Sequence, residues 1–351
     1  MKRIILSVVA LSLIAGACQN NSNEVNPDQQ EIAVDMSDFY VYTSDESTVK
    51  AAHGEPGHKC GSMKVLNRKL KENPSLENRM YNIEKHTRKA IAAKGANLKG
   101  KPGGGGTPQP TPYVGSITIP VIVNILEDAN HPVTQAHIDS QIDILNEDYN
   151  DFNPGTGNVP AEFNNAVADV DITFVLAGVN RKASTKTEWG TNDAMKFSNQ
   201  GGIDATDPAN YLNFWICEIG GGILGYAQFP GGELESDGVV IGSDFLGENA
   251  RGGDYGHGRT ATHEVGHWLN LRHIWGDGRC KQDDFVTDTP SSDQPNYGCP
   301  SYPTVNCRSN DMTMNYMDYV NDDCMYMFTN GQNDRMRSIF ATGGARESFV
   351  K

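Results

Sequence analysis

The chain has 351 residues, 38% of them apolar, and 44 acidic against 29 basic side chains give a formal charge of -15. That length fits one large domain or two modest ones, the apolar fraction excludes wholesale disorder, and the acidic balance excludes a nucleic-acid partner reached through a basic surface. The charge is uneven: residues 18–112 carry 13 Lys and Arg against 11 Asp and Glu, net +2, whereas the chain from Tyr113 onward carries 14 against 33, net -19. A weakly basic front and a strongly acidic body read as two functional parts.

Residues 1–17 have the order of an export signal: Met1, Lys2 and Arg3, then an apolar run from Ile4 to Ala17 that is too short to span a bilayer. Ala15-Gly16-Ala17-Cys18 suits either ordinary signal removal or acylation of Cys18 as a bacterial lipoprotein. Both routes place the protein outside the cytoplasm, secreted or held at the cell surface by lipid, where cysteines can pair. Residues 19 to about 40 are polar and aromatic-poor, and residues 18–46 read as a flexible tether. Residues 47–99 form a unit of their own, with His58-Lys59-Cys60-Gly61-Ser62 followed by a predicted helix over residues 75–96. The Gly- and Pro-rich stretch within residues 100–112 cannot sustain helix or strand and marks a linker.

The remaining unit, residues 113–351, opens with the β-branched run SITIPVIVNIL over residues 116–126, a buried strand, followed by an amphipathic helix over residues 134–149. Residues 171–177, 211–219, 225–229 and 238–241 read as four more strands, and helices follow at residues 260–271 and 330–341. The fold class is therefore α+β: a twisted mixed sheet with a backing helix, a further helix that carries the chemistry, and an irregular C-terminal subdomain.

The chemistry sits in His263-Glu264-Val265-Gly266-His267, where two imidazoles at i and i+4 share one helix face and can reach one metal. Alone, such a segment could be a surface helix with two solvated histidines. His273 lies six residues beyond His267, too far to join that face unless the chain turns sharply near Asn270. Asparagine is one of the few residues that tolerates positive φ, so the turn is available. Three neutral His ligands leave the fourth tetrahedral position for water, the signature of a catalytic zinc site.

HEVGHWLNLRH resembles the extended zinc motif of the metzincin metallopeptidases, with Asn270 where most members have Gly, and Asn315-Tyr316-Met317-Asp318-Tyr319 is similar to their Met-turn. With the cysteine spacing, the match is closest to the pappalysin family, of the ulilysin type, over roughly residues 113–351. The resemblance implies a five-stranded metzincin-like fold, with Met317 beneath the metal, Glu264 as general base and Tyr319 turning its hydroxyl toward the oxyanion. It implies that Gly225-Tyr226-Ala227 belongs to the cleft-edge strand, which binds an extended peptide by strand addition.

Cys60 resembles the cysteine switch of metzincin propeptides, because a thiolate is a soft ligand able to take the fourth zinc position; the alternative is a disulfide with Cys217. Cys280, Cys299, Cys307 and Cys324 allow three pairings, and the resemblance implies Cys280 with Cys307 and Cys299 with Cys324. The acidic loop Asp283 to Thr289 suits a hard cation, and the resembling enzymes bind calcium here, which implies Asp284, the carbonyl of Thr287 and Thr289 as ligands. The resemblance implies that Asp323, with Asp322 as the neighbouring candidate, lies at the floor of the pocket for the residue after the cut and directs cleavage before Arg or Lys, the alternative being that both are rim or surface acids.

The reading is thus a zinc endopeptidase made as a zymogen, acting on protein or peptide substrates. Its rival is a surface-anchored binding lipoprotein with structural zinc.

Overall fold

A computed structural model describes residues 32–43, 60–98 and 110–351. The expected export signal, the Cys18 lipidation site and the Gly-rich linker through residue 109 lie outside the described residues, as do His58 and Lys59.

The sheet is built on β1 (Ile117–Glu127), buried along nearly its whole length because both faces are covered. It pairs in parallel with β2 (Ile172–Ala183) on one side and β3 (Leu212–Cys217) on the other. Next to β3 runs β5 (Val239–Gly242), again parallel, and the edge strand β4 (Gly225–Ala227) closes the order β2-β1-β3-β5-β4 as the one antiparallel member. The five strands, mixed in direction, make the expected α+β metzincin-like sheet.

Between β1 and β2 the chain crosses over through α3 (Gln135–Asp148), whose start is fixed by a capping box between Thr134 and His137. Helix α4 (Arg259–Trp268) packs beneath β4, and α5 (Asn330–Ser338) starts at a second capping box, Thr329 with Gln332. Phe214, Ile216, Val239, Val265, Trp268, Met317 and Phe340 are among the side chains of one core that joins sheet, α4 and C-terminal subdomain.

That subdomain has little regular structure beyond α5 and the short hairpin of β6 (Val305–Asn306) and β7 (Ser309–Asn310). Its cross-links are Cys280–Cys307 and Cys299–Cys324, the crossed pattern. Loops of 27 and 25 residues closed this way each disfavour the unfolded chain by about 3.5 kcal/mol on the chain-entropy model. Cys60 and Cys217 are buried thiols, so the alternative disulfide between them does not form.

The front unit consists of α1 (Ser62–Glu72), which the sequence reading did not separate, and α2 (Ser75–Leu98). Met63, Leu66 and Leu70 of α1 and Leu76 and Met80 of α2 bury themselves with Val41 against Phe229 of the catalytic unit. One expectation is corrected here. Residues 32–43, assigned by composition to a flexible tether, pack against the catalytic unit: Tyr40 donates its hydroxyl to the carbonyl of Asp283 at 2.8 Å, and Arg272 donates to the carbonyl of Tyr40 at 2.7 Å. Phe39 and Tyr40 outweigh the polar average, their ring centroids lying 6.2 Å and 5.2 Å from that of Phe285. Among the described residues no helix is long and apolar enough to cross a membrane.

Candidate active site

Helix α4 ends at Trp268, and the chain reverses at Asn270, whose φ of 76° is the left-handed conformation expected there. The turn closes with the Leu271 amide donating to the Gly266 carbonyl at 2.9 Å. His273 is thereby returned to the face that carries His263 and His267. The Nε2 atoms of His267 and His273 lie 3.1 Å apart, and those of His273 and His263 lie 3.2 Å apart.

The opposite ring nitrogens decide the tautomers. Nδ1 of His263 faces the carbonyl of Tyr316 at 2.7 Å, Nδ1 of His267 faces the carbonyl of Leu271 at 2.9 Å, and Nδ1 of His273 faces the carboxylate of Asp277. Carbonyls and carboxylates only accept, so each Nδ1 donates and each Nε2 presents a lone pair. Three converging lone pairs repel unless a cation lies among them. A tetrahedral zinc with Zn–N bonds of about 2.0–2.1 Å spaces its nitrogens by roughly 3.3 Å, so the donor set fits zinc. Asp277, which the sequence reading missed, is buried and orients the third ligand in the way outer carboxylates commonly do. Its signal was present, a carboxylate four residues after the last histidine of the motif.

Against the helix that carries His263 and His267, Met317 is fully buried, and a Cβ built on Gly266 would meet its sulfur at 2.5 Å. The glycine inside the motif is therefore required by the Met-turn packed under it. Tyr319 is buried, with its hydroxyl 3.1 Å from Nε2 of His273 and its ring edge-on to Trp275. Asp148 at the end of α3 accepts from Thr262 at 2.7 Å and from Tyr316 at 2.8 Å, fastening the backing helix to both zinc helix and Met-turn. Burial raises the Asp148 carboxyl, against the opposing pull of Arg259 and these donors.

The fourth side of the histidine cluster is occupied by the front unit. Cys60 places its sulfur 3.5 Å from Nε2 of His267, and its Sγ and one nitrogen from each histidine all lie within 4.8 Å of one another. Cys60 bridges in parallel to Gly225, and the Gly61 amide donates to the Gly225 carbonyl at 2.8 Å. Ser62 donates its hydroxyl to Oε2 of Glu264 at 2.7 Å and accepts from the Ala227 amide at 2.7 Å. Gly225 and Ala227 thus present backbone groups to a neighbouring chain, as a cleft edge does. The Tyr226 side chain instead turns into the core, where its hydroxyl donates to Asp193 at 3.2 Å.

Electrostatics hold the front unit down. Asp193 accepts from Arg68 at 2.7 Å and pairs with Lys69 at 2.9 Å, while Arg79 pairs with Glu233 at 2.8 Å. Burial would raise the Asp193 carboxyl, but Lys196, Lys69 and Arg68 hold it well below the usual range.

Of the expected calcium ligands, Asp284 is buried and accepts from Thr289 at 2.9 Å, and the Thr289 hydroxyl also reaches the carbonyl of Val286 at 2.9 Å. Burial and the adjacent Asp283 push the Asp284 carboxyl well above its ordinary value, so a cation is what would keep it ionised. Asp323 does not sit at a closed floor: its side chain is 78% exposed and lies 3.8 Å from His257. The disulfide at Cys324 pins the segment, yet Asp322 takes the inward position, accepting from the amides of His257 at 2.9 Å and Arg259 at 3.1 Å. Burial pushes Asp322 up to about 7.

Among the described residues one other trio converges, His131, Glu218 and Asp244, but Arg251 already pairs with Asp244 at 2.6 Å and all three are partly exposed. It is a polar cluster just beyond the ends of β1, β3 and β5, braced by Arg251.

Comparison with known proteins agrees with this geometry. Residues 198–341 match the peptidase M43 family profile, described as pregnancy-associated plasma protein-A. An extracellular metalloprotease of Arthroderma benhamiae is 32% identical over 249 residues, 66% of this chain and 76% of the relative. One from Pyricularia oryzae is 34% identical over 220 residues, 60% of this chain and 68% of that one. Mature mirolysin of Tannerella forsythia in complex with a cleaved peptide is 41% identical, with a TM-score of 0.65, over 68% of this chain and 96% of its own. A promirolysin mutant from the same organism matches 83% of this chain and 97% of its own, at 35% identity and a TM-score of 0.72. The larger share matched by the precursor extends the similarity into the front unit. The chain belongs to the pappalysin family of metzincins, the peptidase M43 family of zinc metalloproteases.

Proposed function

We propose that this zinc metalloprotease is an exported endopeptidase kept latent by residues 47–99, with residues 113–351 as its catalytic unit and residues 100–112 as the connection between them. The single observation that carries the reading is the convergence of three Nε2 lone pairs with the Cys60 sulfur on their fourth side. Export is supported by relatives named extracellular metalloproteases and by the signal-like order of residues 1–17; Cys18 would carry the lipid if the protein stays at the surface.

His263, His267 and His273 would hold the zinc. When bound, zinc supplies Lewis acidity that acidifies water and polarises the scissile carbonyl. Glu264, beside the cluster and buried, takes the proton of the attacking water and returns it to the leaving amine. Tyr319 offers its hydroxyl to the developing oxyanion. Gly225 and Ala227 hold the substrate backbone through the same carbonyl and amide that hold Gly61 and Ser62. Latency would follow because Cys60, on the fourth side of the histidine cluster, would hold the place that water needs when zinc is bound.

Calcium at Asp284 and Thr289 is supported by a buried carboxylate that accepts from the Thr289 hydroxyl at 2.9 Å and whose carboxyl burial pushes well above its ordinary value. Cleavage before Arg or Lys rests on Asp323, whose exposed carboxylate can reach a substrate cation but with the reduced strength of a solvated pair. Activation of the purified precursor by limited proteolysis, followed by casein digestion with and without a chelator, tests the reading. Chelator-sensitive digestion that appears only after cleavage is expected, and a processed protein with no proteolysis would refute it.

A further inference from the structure

Ser62 is fully buried at the first turn of α1, and both roles of its hydroxyl are used. The proton goes to Oε2 of Glu264 and a lone pair receives the Ala227 amide, each at 2.7 Å. Its own amide donates to the Cys60 sulfur at 3.3 Å, so the thiol and the hydroxyl are set by one short piece of backbone. That piece has no slack. A Cβ on Gly61 would meet Cγ2 of Ile223 at 3.2 Å and Cβ of Tyr226 at 3.3 Å, and Arg68 and Lys69, farther along α1, are fastened to Asp193.

We propose that Ser62 is a second lock of the latent enzyme, one that engages the general base while Cys60 takes the metal position. The inference rests on the roles given above to Glu264 and Cys60. A carboxylate oxygen that already accepts a hydroxyl proton is a poorer base for water, and a charge-assisted bond of this kind is among the stronger hydrogen bonds. The hydroxyl also holds the Ala227 amide that an incoming peptide would need. The two locks act on different partners, so removing the thiol alone leaves the base engaged.

The test compares four full-length, zinc-loaded precursors: the parent, Cys60→Ala, Ser62→Ala and the double variant. Each is shown by mass spectrometry to be uncleaved, and the initial rate of hydrolysis of a quenched fluorescent peptide is measured. The double variant is expected to be faster than Cys60→Ala by roughly tenfold or more, with Ser62→Ala still protecting residues 60–98 from an added protease as the parent does. Equal rates for Cys60→Ala and the double variant would overturn the proposal, as would a leak in Ser62→Ala that comes only with loss of that protection. If Cys60→Ala is as latent as the parent while Ser62→Ala leaks with its protection intact, the thiol reading fails and the Ser62 lock stands. Proteolytic removal of the front unit yields the same mature chain from all four, so equal kcat/KM after activation shows that the catalytic unit folded in each.

Discussion

Arg335 on α5 donates from Nε to the carbonyl of Asn270 at 2.9 Å, so one buried guanidinium braces the left-handed turn that returns His273 to the other two histidines. The same guanidinium reaches Glu84 of α2 with both terminal nitrogens, and Arg88 adds a third donor to that carboxylate at 2.7 Å. One arginine therefore touches both the front unit and the zinc loop, beside the direct bond from the Asn270 side-chain amide to the Thr87 hydroxyl at 3.4 Å.

That joint titrates. Burial would raise the Glu84 carboxyl, but Arg335 and Arg88 outweigh it and hold it below the ordinary glutamate range. A lowered carboxyl contributes stability that is full above its unfolded value and is lost as pH falls through its folded value. The intact precursor should therefore lose stability below roughly pH 4.3. Glu84→Gln should be less stable at neutral pH by about 3 kcal/mol and show a flatter acid limb. Urea unfolding of intact precursor between pH 3 and 7 reads both; a variant as stable as the parent at pH 7 contradicts the role given to Glu84.

Asp277→Asn keeps the size of the side chain next to Nδ1 of His273 but removes its charge. Zinc affinity of the mature enzyme should fall by about 10–100-fold. Competition with a chromophoric chelator gives the dissociation constant directly, and an unchanged value would show that Asp277 does not orient the ligand.

Exhaustive calcium removal should lower the melting temperature of the parent and leave Asp284→Asn unaffected, because the substitution has already removed the buried carboxylate. A parent that melts at the same temperature with calcium and with a calcium chelator sinks the assignment of Asp284 and Thr289.

Peptides with Arg, Lys, Leu and Glu after the scissile bond should be cut in that descending order. Because the Asp323 carboxylate is largely exposed, Asp323→Ala should narrow the gap between Arg and Leu by only about tenfold or less. A parent preference for Leu would defeat the specificity proposal.

The zinc cluster was legible in the sequence because helical spacing fixes His263 and His267, and a residue tolerant of positive φ marks the turn before His273. Strands β1 and β3 were legible from β-branched and aromatic density. Other features depended on contacts between distant segments. Nothing local announces that Phe39 and Tyr40 find Arg272 and Phe285 across the molecule, since an average over a polar stretch hides a few aromatic anchors. Helix α1 was blurred into its neighbourhood because its apolar face is completed by Phe229 from the catalytic unit. Asp322 and Asp323 differ in burial because the segment before Cys324 turns one of them toward the amides of His257 and Arg259. Spacing from Met317 cannot distinguish two adjacent acids.

The central claim is that His263, His267 and His273 hold the metal while Glu264 moves the proton. Glu264→Ala separates the two functions: after removal of the front unit, zinc content by mass spectrometry should stay near one per chain while hydrolysis of a quenched peptide falls by a factor of about 100 or more. Loss of zinc in that variant, or turnover like the parent's, would contradict the account.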